Sequence, residues 1–153
     1  MMKLCSDLLK ALEGKTLCTA ESLTGGGIGA ALTAVPGASK VFKGGIISYT
    51  DEVKREVLGV SQTDLDTFGA VSAPVAKAMA LGARKLLQAD IAISVTGLAG
   101  PDGDEFGHTV GTVYIGYADQ GNTMVQECHF TGDREDVRRQ TITAALDMIL
   151  KYV

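Results

Sequence analysis

LCTAESLTGGGIGAALTA, residues 17–34, changes periodicity within a few positions, and that change decides the fold. LCTA (17–20) reads as a short buried strand, ESLTGGG interrupts it, and a small-residue helix runs from Gly26 to Ala34 until Pro36-Gly37 stops it. Before this stretch, residues 2–13 place Leu4, Leu8 and Leu12 four apart, an amphipathic helix ended by Gly14. After it, VFKGGIISYT (41–50) gives a second strand and DEVKREVLGV (51–60) a short helix. Ser72 is expected to cap a longer helix with Val75, Met79, Gly82 and Leu86 on one face, and IAISVT (91–96) is an apolar strand entering Gly97. Two further strands are expected at 109–118 and 122–130, and Asp133 caps a last helix carrying Ile142, Leu146, Ile149 and Val153. Strands alternating with helices, then a hairpin and a closing helix, predict an α/β fold. The expected form is a three-layer α/β/α sandwich with a mixed, mostly parallel sheet, one domain spanning 1–153.

Composition narrows the function. The chain has 153 residues, 14 Lys+Arg against 18 Asp+Glu and 46% hydrophobic residues, enough for one core that buries roughly 70% of the unfolded surface. Three Cys, at 5, 18 and 128, with no CxxC spacing and only two His, lack the material for a disulfide framework or a structural zinc site. The cysteines read as small core hydrophobes, and no metal is expected. Apolar runs stop short of the ~18 residues a bilayer needs, and charge through the first 15 residues argues against a signal peptide, so a cytoplasmic location is expected. A pI near 5.1, no Trp and no basic stripe exclude nucleic acid as a partner while leaving room for one small anionic ligand.

In open α/β sheets, ligands bind beyond the carboxyl ends of the parallel strands. Three clusters lie there: Glu21-Ser22-Leu23-Thr24-Gly25-Gly26, then Ser48 to Lys54, then Thr96-Gly97-Leu98-Ala99-Gly100-Pro101. If their strands are parallel neighbours, all three meet on one edge. Ser22, ahead of glycines that open a helix, supplies a candidate nucleophile beside free backbone N–H groups, a combination suited to acyl transfer. A serine needs a base, and neither His108 nor His129 falls in the clusters. Lys54 is the candidate, because a buried lysine has a lowered pKa, and Tyr49 could relay the proton or orient it. Singly, each residue has an ordinary alternative: Ser22 as a helix cap, Tyr49 as a half-buried core residue, Lys54 as a solvated first-turn cation.

A rival reading uses the same glycines. Gly25, Gly27 and Ala30 satisfy G-x-G-x-x-A, with Asp51 as a candidate ribose ligand, which would make a dinucleotide site and an oxidoreductase. Against it, ESLT separates the strand from the first glycine.

CTAESLTGG (18–26), the segments 35–60 and 68–84, IAISVTGLAGPDG (91–103), VGTVYIGYAD (110–119) and FTGDREDVRRQTI (130–142) together closely resemble the CinA C-terminal domain family. The resemblance covers most of the chain in order. It implies a nicotinamide-nucleotide amidase of pyridine nucleotide salvage, hydrolysing nicotinamide mononucleotide to nicotinate mononucleotide and ammonia without metal or cofactor. The family's nucleophilic serine and assisting tyrosine and lysine fall on Ser22, Tyr49 and Lys54. Many relatives carry the domain behind a larger N-terminal one, whereas this sequence opens directly on the amidase part, so a stand-alone form is expected.

Two departures stand out. Leu23 replaces a cysteine common in relatives. More consequentially, Asp102, Asp104, Glu105, Phe106 and His108 follow Pro101 where many members have glycines and a Lys-Pro pair. Three added acids near a phosphorylated substrate would repel it by about 1 kcal/mol per pair at 4 Å in water, giving a weak or silent nucleotide-binding relative, unless the loop faces away. Donors for the substrate are expected at the amides of Thr24, Gly25 and Gly26, around Thr96, Gly97 and Gly100, and at Arg134 and Arg138, one turn apart on the last helix. The alternative for the arginines is a surface ion-pair pattern. The expected partner is thus one small nucleotide, with no nucleic acid or membrane partner, and self-association left open.

Overall fold

In the computed structural model, which describes residues 1–153, five strands form one sheet: β1 (Leu17–Glu21), β2 (Phe42–Ile47), β3 (Ile91–Gly97), β4 (Thr112–Ala118) and β5 (Thr123–His129), in the order β2-β1-β3-β4-β5. β1 pairs in parallel with β2 and β3, while β4 pairs antiparallel with β3 and β5. Four strands therefore run one way and β4 alone is reversed, which is the expected mixed, mostly parallel sheet. Six α-helices cover it: α1 (Met2–Ala11), α2 (Gly27–Thr33), α3 (Asp51–Glu56), α4 (Gln62–Phe68), α5 (Ala73–Leu87) and α6 (Arg134–Tyr152).

The three layers follow from alternation along the central strands. Leu17, Ile91, Ile93, Val113 and Ile115 face one side, where Leu8 and Leu12, Ile28 and Leu32 of α2, and Leu146 and Ile149 of α6 close a core. Cys18, Ala20, Ala92 and Ala118 face the other, against Leu58, Leu65 and the Val75, Met79 and Ala83 stripe of α5. Small residues on that second face let α5 approach closely: a Cβ on Gly116 would lie 2.5 Å from the Ala76 carbonyl oxygen, and one on Gly82 would lie 1.9 Å from that of Leu58. All three cysteines are free and buried, and burial pushes the Cys18 thiol up to about 12.

Several local expectations need correction. Leu86 is 53% exposed, so the buried face of α5 runs through Val75, Ala76, Met79, Ala80 and Ala83 instead. Ser72 occupies the N-cap position, but its hydroxyl donates to the Gly69 carbonyl and caps nothing. Val153 is exposed. α4 was not anticipated, because Leu65 is its only buried residue and no apolar stripe announces it. Asp133, by contrast, closes a full capping box with Asp136.

Candidate active site

The parallel order β2-β1-β3 brings the three strand-end clusters together. β1 is prolonged by one residue, since the Ser22 amide donates to Val95 O at 3.0 Å, and Ser48 N donates to Glu21 O at 2.8 Å. The chain then turns sharply: the Gly25 amide returns to Ser22 O at 3.1 Å, and Gly25 and Gly26 take φ values of +58° and +100°, where a side chain would be strained. Glu21, 2% exposed, holds the turn from within. Its carboxylate accepts from Thr24 Oγ1 at 2.6 Å and from the Ile28 and Gly29 amides at 2.8 and 3.0 Å.

That arrangement removes the dinucleotide reading. The α2 amides that would cradle a pyrophosphate already bind a carboxylate, and a second anion there would be repelled.

Lys54 is the central group. Thr50 caps α3, its hydroxyl accepting from Val53 N at 3.3 Å, which sets Lys54 just beyond the first turn and aims its side chain inward, 1% exposed. Nζ lies 2.9 Å from Ser22 Oγ, 2.8 Å from Ser48 O and 3.2 Å from Tyr49 O. No carboxylate touches it, so burial dominates and lowers its pKa to about 8, with Asp51 opposing weakly. The neutral amine has two N–H groups and one lone pair. It can therefore donate to both carbonyls while accepting the Ser22 proton. Ser22, 7% exposed, is no helix cap, and Lys54 is not solvated.

Tyr49 meets the Ser22–Lys54 pair through its backbone. Its carbonyl faces Lys54 and Ser22, whereas its ring is 57% exposed and its hydroxyl accepts from Arg134 Nη2 at 3.2 Å. Arg134 also donates to Gly100 O at 2.6 Å. Thr96 donates to Ala70 O at 2.9 Å.

A cleft of about 840 Å³ opens over Ser22 and Lys54, and Leu23, Tyr49, Thr96, Gly97, Gly100 and Arg134 also line it. Thr24, Gly25, Gly26 and Arg138 do not. Gly26 lies against Ile47, and Arg138 closes on the carbonyls of Leu23 (2.9 Å) and Thr24 (3.3 Å), outside the lining of this cleft. The surface ion pair on α6 is made by Arg139 with Asp136, and neither Arg134 nor Arg138 enters one.

The loop after Pro101 does not face away. Asp102, Asp104, Glu105 and Phe106 all line the cleft, joined by Asp51 and Asp66. Phe106 seats its ring on Gly69, where a Cβ would come within 2.6 Å of it. Asp104 organises the loop, accepting from the Phe106 and His108 amides at 3.1 and 2.9 Å and pairing with His108 Nδ1 at 2.7 Å. Burial raises the Asp104 pKa, but the His108 bonds outweigh it and hold the carboxyl below its usual value. No group of three or more His, Cys, Asp or Glu side chains is placed to hold a metal ion, and no helix is long and apolar enough to cross a membrane.

Fold and site together define a three-layer α/β protein with a buried serine–lysine pair at the carboxyl edge of its parallel strands. The family follows: a model of the CinA C-terminal domain matches residues 1–153, and the chain belongs to that family. It is 47% identical over 146 residues to a CinA-like protein of Citrifermentans bemidjiense, covering 95% of this chain and 35% of that one. The chain spans about a third of the length of the curated relatives it matches. Among solved structures, the competence damage-inducible protein A of Klebsiella pneumoniae superposes with a TM-score of 0.96 at 37% identity, covering 99% of this chain and 95% of that one. A CinA superfamily protein of Escherichia coli gives 0.97 at 37% identity, covering 99% and 90%.

Proposed function

We propose that this domain is a cytoplasmic nicotinamide-nucleotide amidase, converting nicotinamide mononucleotide and water to nicotinate mononucleotide and ammonia. The observation that carries the reading is the buried Lys54 Nζ, 2.9 Å from Ser22 Oγ and free of any carboxylate partner. Ser22 attacks the carboxamide carbon as its proton passes to Lys54. The oxyanion is met by the Leu23 amide, on the residue after the nucleophile, which lines the cleft and donates to no protein acceptor. Lys54 returns the proton to the departing ammonia. Water, deprotonated by the same amine, then clears the acyl-enzyme and frees Ser22. Tyr49 assists through the carbonyl that orients Lys54 and through the hydroxyl that steadies Arg134.

The cleft's charges suit a substrate of mixed sign. Arg134 offers a guanidinium to the phosphate, and the surrounding carboxylates offer a negative field to the cationic pyridinium ring. The same carboxylates favour a second reading, a nucleotide-binding relative in which phosphate repulsion suppresses turnover.

Ammonia release from nicotinamide mononucleotide, run beside Ser22→Ala, tests both. Turnover by the wild-type chain with binding but no ammonia from the variant supports the amidase. Binding without turnover by the wild type supports the silent relative, and ammonia release retained in Ser22→Ala removes Ser22 as nucleophile.

A further inference from the structure

The turn that follows Ser22 is gripped from the far end of the chain. Arg138, near the start of α6, donates from Nε to Leu23 O at 2.9 Å and from Nη2 to Thr24 O at 3.3 Å. A guanidinium closed on two consecutive carbonyls binds backbone, not ligand, and its planar fork suits that task as a lysine would not. We propose that Arg138 is a positioning residue, setting the turn so that the Ser22 hydroxyl and the Leu23 amide face the cleft together. The proposal rests on the amidase reading for its reaction, though not for its geometry.

Three peptide planes link Arg138 to the site, each rigid, with its C=O and N–H pointing oppositely. Thr24 O and Gly25 N–H share one plane. Thr24 O is held by the Gly27 amide at 2.9 Å and by Arg138 at 3.3 Å, and this aims the Gly25 N–H away from them, where it meets Ser22 O at 3.1 Å. Ser22 O shares the next plane with the Leu23 N–H, so that bond in turn fixes the direction of the Leu23 amide. The Leu23–Thr24 plane between them is held directly at Leu23 O. Gly25 and Gly26, both at positive φ, add no side-chain stiffness, so the turn's own bonds are Gly25 N to Ser22 O and Gly27 N to Thr24 O, and only Arg138 meets Leu23 O. Glu21 braces it only through the Thr24 side chain and the α2 amides, and touches none of the three planes.

The test compares wild type with Arg138→Ala, which keeps a strong helix former in α6, and Arg138→Lys, which keeps the charge but loses the fork. Ammonia release is followed from nicotinamide mononucleotide and from nicotinamide riboside, and modification of Ser22 by a fluorophosphonate is followed by intact mass. Both variants should lose at least about tenfold in kcat, in the range of a lost oxyanion donor, with KM for the mononucleotide little changed. The fold-loss should be equal on the riboside and equal in the labelling rate, the pH inflection of Lys54 should stay in place, and added guanidinium should restore part of the Arg138→Ala activity. A rise in KM confined to the mononucleotide would make Arg138 a phosphate ligand and overturn the proposal. So would unchanged kcat with a lowered Tm, which describes a brace of stability alone. If wild type releases no ammonia, the amidase reading fails by itself. Slower labelling of the variants would then still uphold the positioning role, and equal labelling would refute it. A wild-type chain that neither turns over nor labels overturns both.

Discussion

Raising the pH from about 6 to about 10 should switch the base on at a place the burial of Lys54 dictates. Its pKa falls from 10.5 to about 8, which corresponds to roughly 3 kcal/mol in favour of the neutral amine. At pH 7 about one chain in ten then carries a neutral Lys54, against about one in 3,000 for an unperturbed lysine, a difference of over two orders of magnitude in competent enzyme. kcat/KM should climb about tenfold per pH unit below the inflection and level off above it. A coupled ammonia assay across this range, with Lys54→Ala as the blank, reads the curve directly. The linked effect on stability has a definite sign. Between about pH 8 and pH 10.5 the folded chain has released a proton that the unfolded chain retains, so stability rises with pH across that window, and Lys54→Met should lose this rise. A flat activity profile, or an inflection near the ordinary lysine value, would refute the assignment of Lys54 as base.

Arg134 is the cation that lines the cleft beside Lys54, so nicotinamide riboside should show a kcat/KM at least about tenfold below that of the mononucleotide, one charge-assisted bond being worth roughly 1.5 to 3 kcal/mol; equal values would detach Arg134 from the phosphate. Glu21→Gln turns an acceptor into a donor facing the Gly29 or Ile28 amide, and calorimetry should find it less stable by about 2 kcal/mol, lowering Tm by roughly 4 to 8 °C. Gly82→Ala should raise helix propensity by about 1 kcal/mol yet destabilise the protein, because its Cβ would meet Leu58 O at 1.9 Å; a denaturant midpoint at or above wild type would show that α5 can move away from Leu58.

The order of strands and helices was readable because both faces of the sheet are covered, which makes β1 and β3 buried, mainly apolar runs ending at glycine-rich turns. The meeting of Ser22 with Lys54 was readable for the same reason: parallel neighbours align their carboxyl ends. What periodicity could not reveal was direction. Tyr49 and Arg138 stand at positions that allow either a ligand or a backbone contact, and only the packed α6 decides that Arg138 turns to Leu23 and Thr24. Glu21 had a signal, an acid between a buried strand and a glycine turn, but its capping bonds span seven and eight residues, beyond the reach of local capping patterns. α4 had one as well, in Ser61 three residues before Asp64 and Gly69 after its end, although its single buried leucine left no stripe to support it. The loop at 102–108 carries its structure in Asp104 and a Phe106–Gly69 contact, and no spacing rule anticipates that contact.

The grip of Arg138 on Leu23 spans 115 positions of sequence. A ribosome adding about 5 to 20 residues per second needs roughly 6 to 23 seconds to cover that distance. Throughout that interval the nascent chain carries a serine turn whose outer carbonyls have no guanidinium to meet, and whose two glycines leave it free to sample other shapes. Ser22 is therefore made early and completed late. Any activity of the domain reports arrival of its last helix, so a pulse-chase of newly made chains should show chemical competence appearing together with protease resistance of α6, and not before.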